Sequence, residues 1–407
     1  MGRVLSVKRS AAIVAVTALM LTGCGDDDPA ADSGDDVTTT AATSAVEIDE
    51  TLAGDVIAHY AAGVYSSYQA SLAAAKQLDT AVDAFVSSPD AATLESAKSA
   101  WIAARTPYGL TEAFRFYGGP IDNEETGPEG QINGWPLDEQ YIDYTVDSPD
   151  SGIINNTADF PGITKEVLAE ANEQGGEANL STGWHAIEFL LWGQDLSDTG
   201  PGERPVGDYT TGANAERRKA YLSAVTDLLI DDLTSVTDAW APDEDNYRAE
   251  FTSKPVAEAL NDIITGIGEL SRGELAGERM NVAYEERSQE NEHSCFSDNT
   301  SADLSANANG IANVWLGSYL DTPSGPGLSE LVSSVDPELA SRVTSEISES
   351  VLAISTIPSP FDQHLTADAP DDGEGRTAIK TAIDDLSTQT DSIVEAAKAL
   401  GVEIEVS

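Results

Sequence analysis

Apolar side chains recur at helical spacing along almost the whole chain, and this pattern restricts the fold more than any other feature of the sequence. Apolar residues three and four positions apart line one face of a helix, whereas alternation with a period of two would indicate strands. No alternating run of five or more β-branched residues stands out. The predicted helices cover residues 49–88 (with a break at Asp79-Thr80), 93–116, 162–174, 181–193, 214–239, 245–269, 272–294, 302–319, 336–356 and 374–399. We therefore predict an all-α fold of two tandem helical-bundle domains.

Two polar segments rich in glycine and proline interrupt the helices. The longer one covers residues 117–160, and a loop of this length inside a compact domain tends to be functional. Its aromatic residues, Trp135 among them, predict that it packs down as a long structured loop of the first domain. The second segment, at 197–212, marks the predicted boundary between an N-terminal domain (residues 47–205) and a C-terminal domain (206–407), because roughly 360 residues are long for one core.

The first 46 residues predict export and a lipid anchor. Residues 1–23 combine a basic start with a short apolar run, as in a secretory signal peptide that is too short to span a membrane. The ending Leu21-Thr22-Gly23-Cys24 resembles a bacterial lipoprotein signal, in which Cys24 is lipidated; the alternative is an ordinary signal with an incidental cysteine. Residues 24–46 hold almost no large apolar side chain and predict a disordered acidic tether. We expect the protein to be lipid-anchored in the bacterial cell envelope, on a periplasmic or surface face.

Acidic residues outnumber basic residues by 71 to 21, which gives the chain a formal charge of −50. The predicted signal peptide contains three basic and no acidic residues, so the mature chain would carry −53. Such a surface repels nucleic acid and anionic lipid headgroups, so we expect no nucleic-acid partner and membrane contact through the lipid anchor only. A role in concentrating cations, adaptation to salt and simple solubility all agree with the charge, and the even spread of the acids favours the last two.

One strongly apolar segment carries the most informative polar pair. The residues Gly183-Trp184-His185-Ala186-Ile187-Glu188 are followed by Phe189-Leu190-Leu191-Trp192. On a helix, His185 and Glu188 share a face and reach the same ion or ligand atom. Polar groups in an apolar setting need a partner, such as a metal, an arginine or a ligand. All four histidines of this acidic chain have an acid three or four positions away, so the residues alone leave a structural pair and a ligand pair equally favoured.

A second candidate cluster consists of Glu285, Glu292, His293 and Asp298. On one continuous helix, acids seven residues apart fall near one stripe, close to His293. Carboxylates together with imidazole suit iron, manganese or zinc, whereas the alternative is a solvated acidic face. Cys295 lies in the same segment as a free thiol that is either redox-active or simply buried.

A third cluster, which we call the arginine stripe, consists of Arg105, Tyr108, Glu112 and Arg115. Their spacing by three, four and three residues places them on one face of a helix. The stripe is either a surface ladder of ion pairs that contributes little, or a set that orients a carboxylate such as Glu188 or holds an anionic ligand. The chain has no His-Glu-x-x-His motif, phosphate loop or dinucleotide fingerprint.

The motif Gly183-x-His185-x-x-Glu188 with its apolar continuation resembles the signature of the imelysin-like family, and most closely its branch of iron-regulated protein A lipoproteins. Further segments are similar to this family over residues 48 to 400: Trp101-Ile102-Ala103-Ala104-Arg105-x-Pro107-Tyr108, Phe114-Arg115-Phe116, Gly119-Pro120-Ile121-Asp122, Trp135-Pro136-Leu137-Asp138, Gly273-Glu274-Leu275-Ala276-Gly277-Glu278-Arg279-Met280 and Glu292-His293-Ser294-Cys295-Phe296-Ser297-Asp298-Asn299-Thr300. The resemblance implies a two-domain, all-helical fold with the motif near an interdomain cleft. It also implies an envelope-anchored protein of bacterial iron acquisition.

These observations lead to one expected function and two alternatives. We expect iron, or an iron-containing small ligand, to bind at the cleft through His185 and Glu188, with the arginine stripe orienting them. Another divalent metal is the alternative cofactor, and other envelope iron-uptake proteins are the expected partners. The first alternative is a metal-dependent peptidase, which is the family's older label, or a redox partner, with Glu188 as base or ligand. The second is that His185 and Glu188 form a purely structural bond.

Overall fold

The computed structural model describes residues 48–406, and every regular element in this range is helical. The predicted all-α fold is therefore confirmed. The α-helices are α1 (Glu50–Ser87), α2 (Ala91–Gly109), α3 (Glu129–Ile132), α4 (Glu139–Ile142), α5 (Lys165–Ala171), α6 (Gly183–Trp192), α7 (Ala215–Ala239), α8 (Tyr247–Ser253), α9 (Val256–Glu269), α10 (Val282–Glu286), α11 (Thr300–Leu316), α12 (Leu328–Val335), α13 (Pro337–Ser355) and α14 (Glu374–Ala399). The predicted signal peptide, Cys24 and the tether lie outside the described residues. Within those residues, no helix combines the length and apolar character needed to cross a membrane.

Helix α1 runs without interruption through Asp79-Thr80, so the predicted break at this polar pair is wrong. Leu78 and Val82 are fully buried on either side of it, and their common apolar face keeps the helix packed there. The carboxylate of Asp49 caps the start of the helix by accepting two backbone N–H groups of the first turn. The 38-residue helix is the longest in the described chain, and it contacts α2 and α7 along its length.

The helices pack in two groups that meet at α2 and α11. Helices α1, α2, α6 and α7 form one group, and α9, α11, α13 and α14 form the other. Helix α11 also packs against α2 and against the 3₁₀ turn Leu110–Phe114 that follows α2. The division into two domains at residue 205 stays a prediction: α7 lies beyond it and packs against α1 and α6, and the described residues belong to one compact unit.

The helical segment after residue 245 departs from the prediction in two places. Pro255 separates α8 from α9, because proline lacks a backbone N–H and disfavours helical geometry in the residue before it. Helix α9 continues as a π-helix (Leu270–Asn281) and then as α10, which ends at Glu286 because the next residue, Arg287, has a φ of 49°. The helix predicted over 272–294 therefore stops at Glu286, and Glu285 and Glu292 do not share a helical stripe. Helix α12 was not predicted.

The long segment 117–160 is structured. It contains the short helices α3 and α4, and Ile142 at the end of α4 is fully buried. Asp143, also fully buried, accepts hydrogen bonds from the guanidinium groups of Arg204 and Arg218. These ion pairs fix the segment to the start of α7 and to the chain that follows α6. The segment thereby places its first half, with Trp135, beside α6.

Candidate functional site

Gly183 determines how α6 begins. Its φ is 84°, a backbone conformation that residues with a side chain rarely adopt. A Cβ atom at this position would lie 2.5 Å from the carbonyl oxygen of Ile132 and 2.6 Å from that of Gln131. Because the helix starts against this neighbouring backbone, only glycine allows the close approach. All ten residues of α6 are buried, so His185 and Glu188 lie inside the protein.

His185 and Glu188 are bonded to each other. The distance from His185 Nδ1 to Glu188 Oε2 is 2.9 Å. The other oxygen, Oε1, accepts the backbone N–H of Ser297 at 2.9 Å and its hydroxyl at 2.6 Å. His185 Nε2 is buried and has no hydrogen-bond partner among residues 48–406. The predicted pair therefore exists, and it leaves one nitrogen without a partner.

Burial dominates the protonation of this pair. It raises the pKa of Glu188 to about 8, against the opposing hydrogen bond from Ser297. It also lowers the pKa of His185 well below its ordinary value, with a further contribution from the nearby His293. The imidazole of His185 is therefore neutral at pH 7, and the carboxyl group of Glu188 holds a proton below pH 8.

His293 comes from the other half of the sequence and lies against His185. The two ring centroids are 4.7 Å apart and the rings are nearly perpendicular, at 75°. His293 Nδ1 is 3.2 Å from Oδ2 of Asp303, on α11. Burial, followed by the charge of Arg279, lowers the pKa of His293 to about 4. At neutral pH, Nδ1–H then donates to Asp303, which leaves the lone pair on Nε2 of His293.

Asp303 stays ionised because Arg105 pairs with it. Burial alone would raise its pKa, but the Arg105 guanidinium and the bond to His293 hold the pKa far below its usual range. Arg105 donates to both carboxylate oxygens of Asp303, at 2.8 Å and 3.3 Å, and to Asn133 at 2.7 Å. Arg105 therefore does not orient Glu188, as the sequence suggested; it fixes the carboxylate that orients His293.

Two other residues of the arginine stripe, Glu112 and Arg115, belong to a second buried ion-pair network. Helix α2 ends at Gly109, so the four residues do not continue as one helical face. Glu112 accepts hydrogen bonds from Arg115 at 2.7 Å and from Arg279 at 2.6 Å. Burial opposes ionisation of Glu112, but these two guanidinium groups lower its pKa. Tyr108 is fully buried, and its ring packs against that of Trp184.

A cavity of about 360 Å³ opens beside His293. Trp135 lines it and contacts both imidazoles, with ring centroids 4.8 Å from His185 and 6.3 Å from His293 and the planes inclined by 56° and 72°. The charged residues that line the cavity are Arg115, Glu129, Glu173, Glu177, Glu274, Glu278 and Arg279. Five carboxylates against two guanidinium groups give it a formal charge of −3, which attracts cations.

The second predicted cluster does not form one site. Only His293 joins His185, whereas Glu285 is exposed at the end of α10. Glu292 is fully buried, and Asp298 lies with Asp195 and Asp362 in a separate group of carboxylates. Cys295 is buried, and burial raises the pKa of its thiol well above the ordinary value, so the thiol stays protonated.

Sequence reasoning did not identify several residues that build the site. They are Trp135, Arg279, Ser297 and Asp303. Trp135, Arg279 and Ser297 fall inside segments that resemble the family, and this resemblance was the signal that could have identified them. Asp303 had none, because an acid in the first turn of a helix is common in any protein.

Comparisons with known proteins agree with this fold. A family model described as imelysin matches residues 64–393. Iron-regulated protein A of Synechococcus elongatus is 26% identical over 339 residues, which are 81% of each chain. A candidate iron-regulated protein A precursor from Parabacteroides distasonis superimposes with a TM-score of 0.69 at 22% identity, over 87% of this chain and 97% of that one. An imelysin-like protein from Psychrobacter arcticum gives 0.61 at 15% identity, over 89% and 99% of the two chains.

Proposed function

Because the chain belongs to the imelysin family, we propose that it binds iron or an iron-containing compound at the paired imidazoles of His185 and His293. The name of the Synechococcus relative connects that protein with iron. The proposal extends this connection to a site in the present chain. It also keeps the predicted setting, a lipoprotein of the bacterial envelope that acts in iron acquisition with other envelope proteins.

The observation that carries the proposal is the orientation of the two rings. Each imidazole directs Nδ1 to a carboxyl group, that of Glu188 or Asp303, and its Nε2 can turn to a ligand. At His185, ligation displaces the proton that the pair with Glu188 holds below pH 8. In metal proteins, a carboxylate on the far nitrogen commonly fixes the tautomer and the ring plane of a ligating histidine. Within the described part of the chain, the buried Nε2 of His185 has no partner. Imidazole nitrogen is a good ligand for iron.

Two imidazoles do not saturate an iron ion. Among the described residues, no third histidine, cysteine or carboxylate groups closely enough with these two rings to complete a metal site. The remaining positions are therefore left to donors of the iron compound itself or to water. The adjoining cavity gives space for such a compound, and its excess of carboxylates favours a cationic one.

Access to His185 requires Trp135 to move. The indole lies against both rings at the cavity wall, and the Nε2 atom of His185 is buried. His293 lines the cavity directly, so it is the first of the two to meet a ligand. We infer that the ligand displaces Trp135 and then engages His185.

No specific observation favours the peptidase alternative. A general base needs a free oxygen for the attacking water, but both oxygens of Glu188 are engaged, by His185 and by Ser297. A redox role for Cys295 has no support either, since its thiol is buried and protonated. The remaining alternative is that the His185–Glu188 bond is purely structural.

Titration with ferrous iron under anaerobic conditions, and separately with ferric citrate, tests the proposal. We expect His185→Ala and His293→Ala each to weaken binding of at least one probe by tenfold or more. His364→Ala is the matched control, because it removes a part-buried imidazole that bonds only a backbone carbonyl, that of Pro358 at 2.9 Å. Variants that lose thermal stability yet bind both probes like the wild type would establish the structural alternative. Peptide turnover abolished by Glu188→Gln would establish the peptidase.

A further inference from the structure

Three carboxylates from distant parts of the sequence converge at a second place in the fold. Asp195 follows α6, Asp298 precedes α11, and Asp362 lies in the 3₁₀ turn between α13 and α14. One oxygen from each of the three lies within 4.8 Å of the others. The fully buried Glu292 adds a fourth carboxyl group beside them, close enough for their charges to raise its pKa in addition to the larger effect of burial.

Several oxygens of this group are buried and have no hydrogen-bond partner in the range that the structure describes. Asp362 is 1% exposed, and its Oδ2 accepts no hydrogen bond from any described residue. The Oδ1 atom of the half-buried Asp298 is also buried and unpaired. Asp195 accepts hydrogen bonds from the Ser197 backbone and the Gln289 side chain, and each carboxylate oxygen retains a further lone pair. A buried polar atom without a hydrogen-bond partner destabilises the folded protein, so these oxygens indicate a bound ligand.

The group also lacks a neutralising charge. In the described part of the chain, none of the four carboxylates forms an ion pair with lysine, arginine or histidine. Burial and mutual repulsion accordingly raise the pKa of Asp195 to about 6 and that of Asp298 to about 7. This contrasts with Glu112 and Asp303, whose burial is compensated by arginine.

We propose that Asp195, Asp298 and Asp362 bind a calcium ion. Calcium takes oxygen ligands at roughly 2.3–2.6 Å, so two oxygens on opposite sides of it lie about 4.8 Å apart. Three oxygens that lie within 4.8 Å of one another can therefore all reach one calcium ion. Magnesium demands shorter and stricter octahedral geometry, and an all-oxygen set without imidazole does not suit zinc. Asp298 is only half-buried, so the group lies close to the protein surface.

The ion would connect the segments on either side of the candidate iron site. Asp195 lies three residues beyond the end of α6, and Asp298 directly follows Ser297, whose N–H and hydroxyl hold Glu188. The same two segments are already joined by the hydrogen bond from Gly202 N–H to the Phe296 carbonyl at 2.9 Å. Calcium would therefore stabilise the position of Ser297 without contacting the iron compound.

Calorimetric titration of the chelator-treated full chain with calcium chloride tests this site. We expect one calcium ion per chain and a rise in Tm on binding. Asp298→Asn and Asp362→Asn should each weaken calcium binding at least tenfold and abolish the rise in Tm. These substitutions keep the side-chain shape and remove like-charge repulsion, so the variants should fold, which circular dichroism would verify.

Asp232→Asn is the matched control. Asp232 is likewise an unpaired carboxylate, and burial raises its pKa to about 7, but it lies on α7 outside the group. Its variant should bind calcium like the wild type. His185→Ala and His293→Ala should also retain calcium binding, which separates this proposal from that of the iron site. Absence of stoichiometric calcium binding, preference for magnesium or iron at these aspartates, or full calcium binding by Asp298→Asn and Asp362→Asn would overturn the proposal.

Discussion

The Arg105–Asp303 ion pair provides a quantitative test of how the imidazole site is built. Both side chains are 1% exposed. Asp303 accepts five hydrogen bonds: two from Arg105 and one each from His293, Ser294 and Asn299. Asp303→Asn removes the charge and replaces one acceptor oxygen with a donor amide, which faces groups that are themselves donors. The guanidinium of Arg105 is then left buried without a counter-ion.

The expected cost follows from that burial. Removing one partner of a buried ion pair destabilises a protein by about 3–5 kcal/mol, and we expect Asp303→Asn to fall in this range. Arg105→Met should cost less, about 2–3 kcal/mol, because three neutral donors still solvate Asp303. The double variant Arg105→Met/Asp303→Asn contains no unpaired buried charge. Its free energy of unfolding should therefore be about 2 kcal/mol higher than the sum of the two single losses predicts.

Urea unfolding followed by tryptophan fluorescence measures these differences as shifts in midpoint at constant slope. The exposed pair Arg342–Glu395 is the matched control, with side chains 50% and 57% exposed. Its cycle, with Arg342→Met and Glu395→Gln, should give a coupling of about 0–1 kcal/mol, because water and salt screen surface ion pairs. A coupling at Arg105–Asp303 no larger than that of the surface pair would refute the reasoning.

Three further predictions concern glycine geometry, proton linkage and acid stability. Gly183→Ala should lower the free energy of unfolding by about 2–4 kcal/mol, because it places a side chain at a positive φ and against backbone carbonyls. The control Gly54→Ala, at an exposed position with open space around it, should not destabilise the protein. Equal unfolding midpoints for the two variants would contradict this. Burial raises the pKa of Glu188 to about 8, so below that pH ligation through His185 Nε2 must release a proton. The affinity for ferrous iron, measured by calorimetry, should therefore rise about tenfold per pH unit between pH 6 and 8. An affinity that does not change with pH would count against ligation by His185. Burial opposes ionisation of Asp143, but its arginine partners lower its pKa, so its stabilisation should be complete above about pH 4 and lost as pH falls through the folded pKa. Asp143→Asn should lower the urea midpoint at pH 7 by more than at pH 3, and equal losses at both would disprove that linkage.

Much of the helical architecture was predictable because its signals are local. Apolar spacing located α7 and α14 almost to the residue, and the family resemblance over residues 48 to 400 includes the range 64–393 that the imelysin match spans. The breaks were harder to predict. Asp79-Thr80 sits inside α1 because neighbouring apolar residues pack on both sides, and the helix predicted to reach residue 294 ends at Glu286. Both outcomes depend on tertiary packing, which overrides the weak local preferences of polar residues.

The candidate site divides in the same way. The sequence by itself determined that His185 and Glu188 share one turn of an apolar helix, and that Gly183 precedes them, because helical spacing is a property of neighbours along the chain. Only the tertiary structure decided which groups meet them. In the folded protein His293 packs against His185, and Arg105 forms its ion pair with Asp303 rather than with Glu188. Asp298 belongs to a different group of carboxylates. The physical reason is that burial and ion pairing depend on contacts between residues more than a hundred positions apart. Those contacts determine which buried side chains remain ionised.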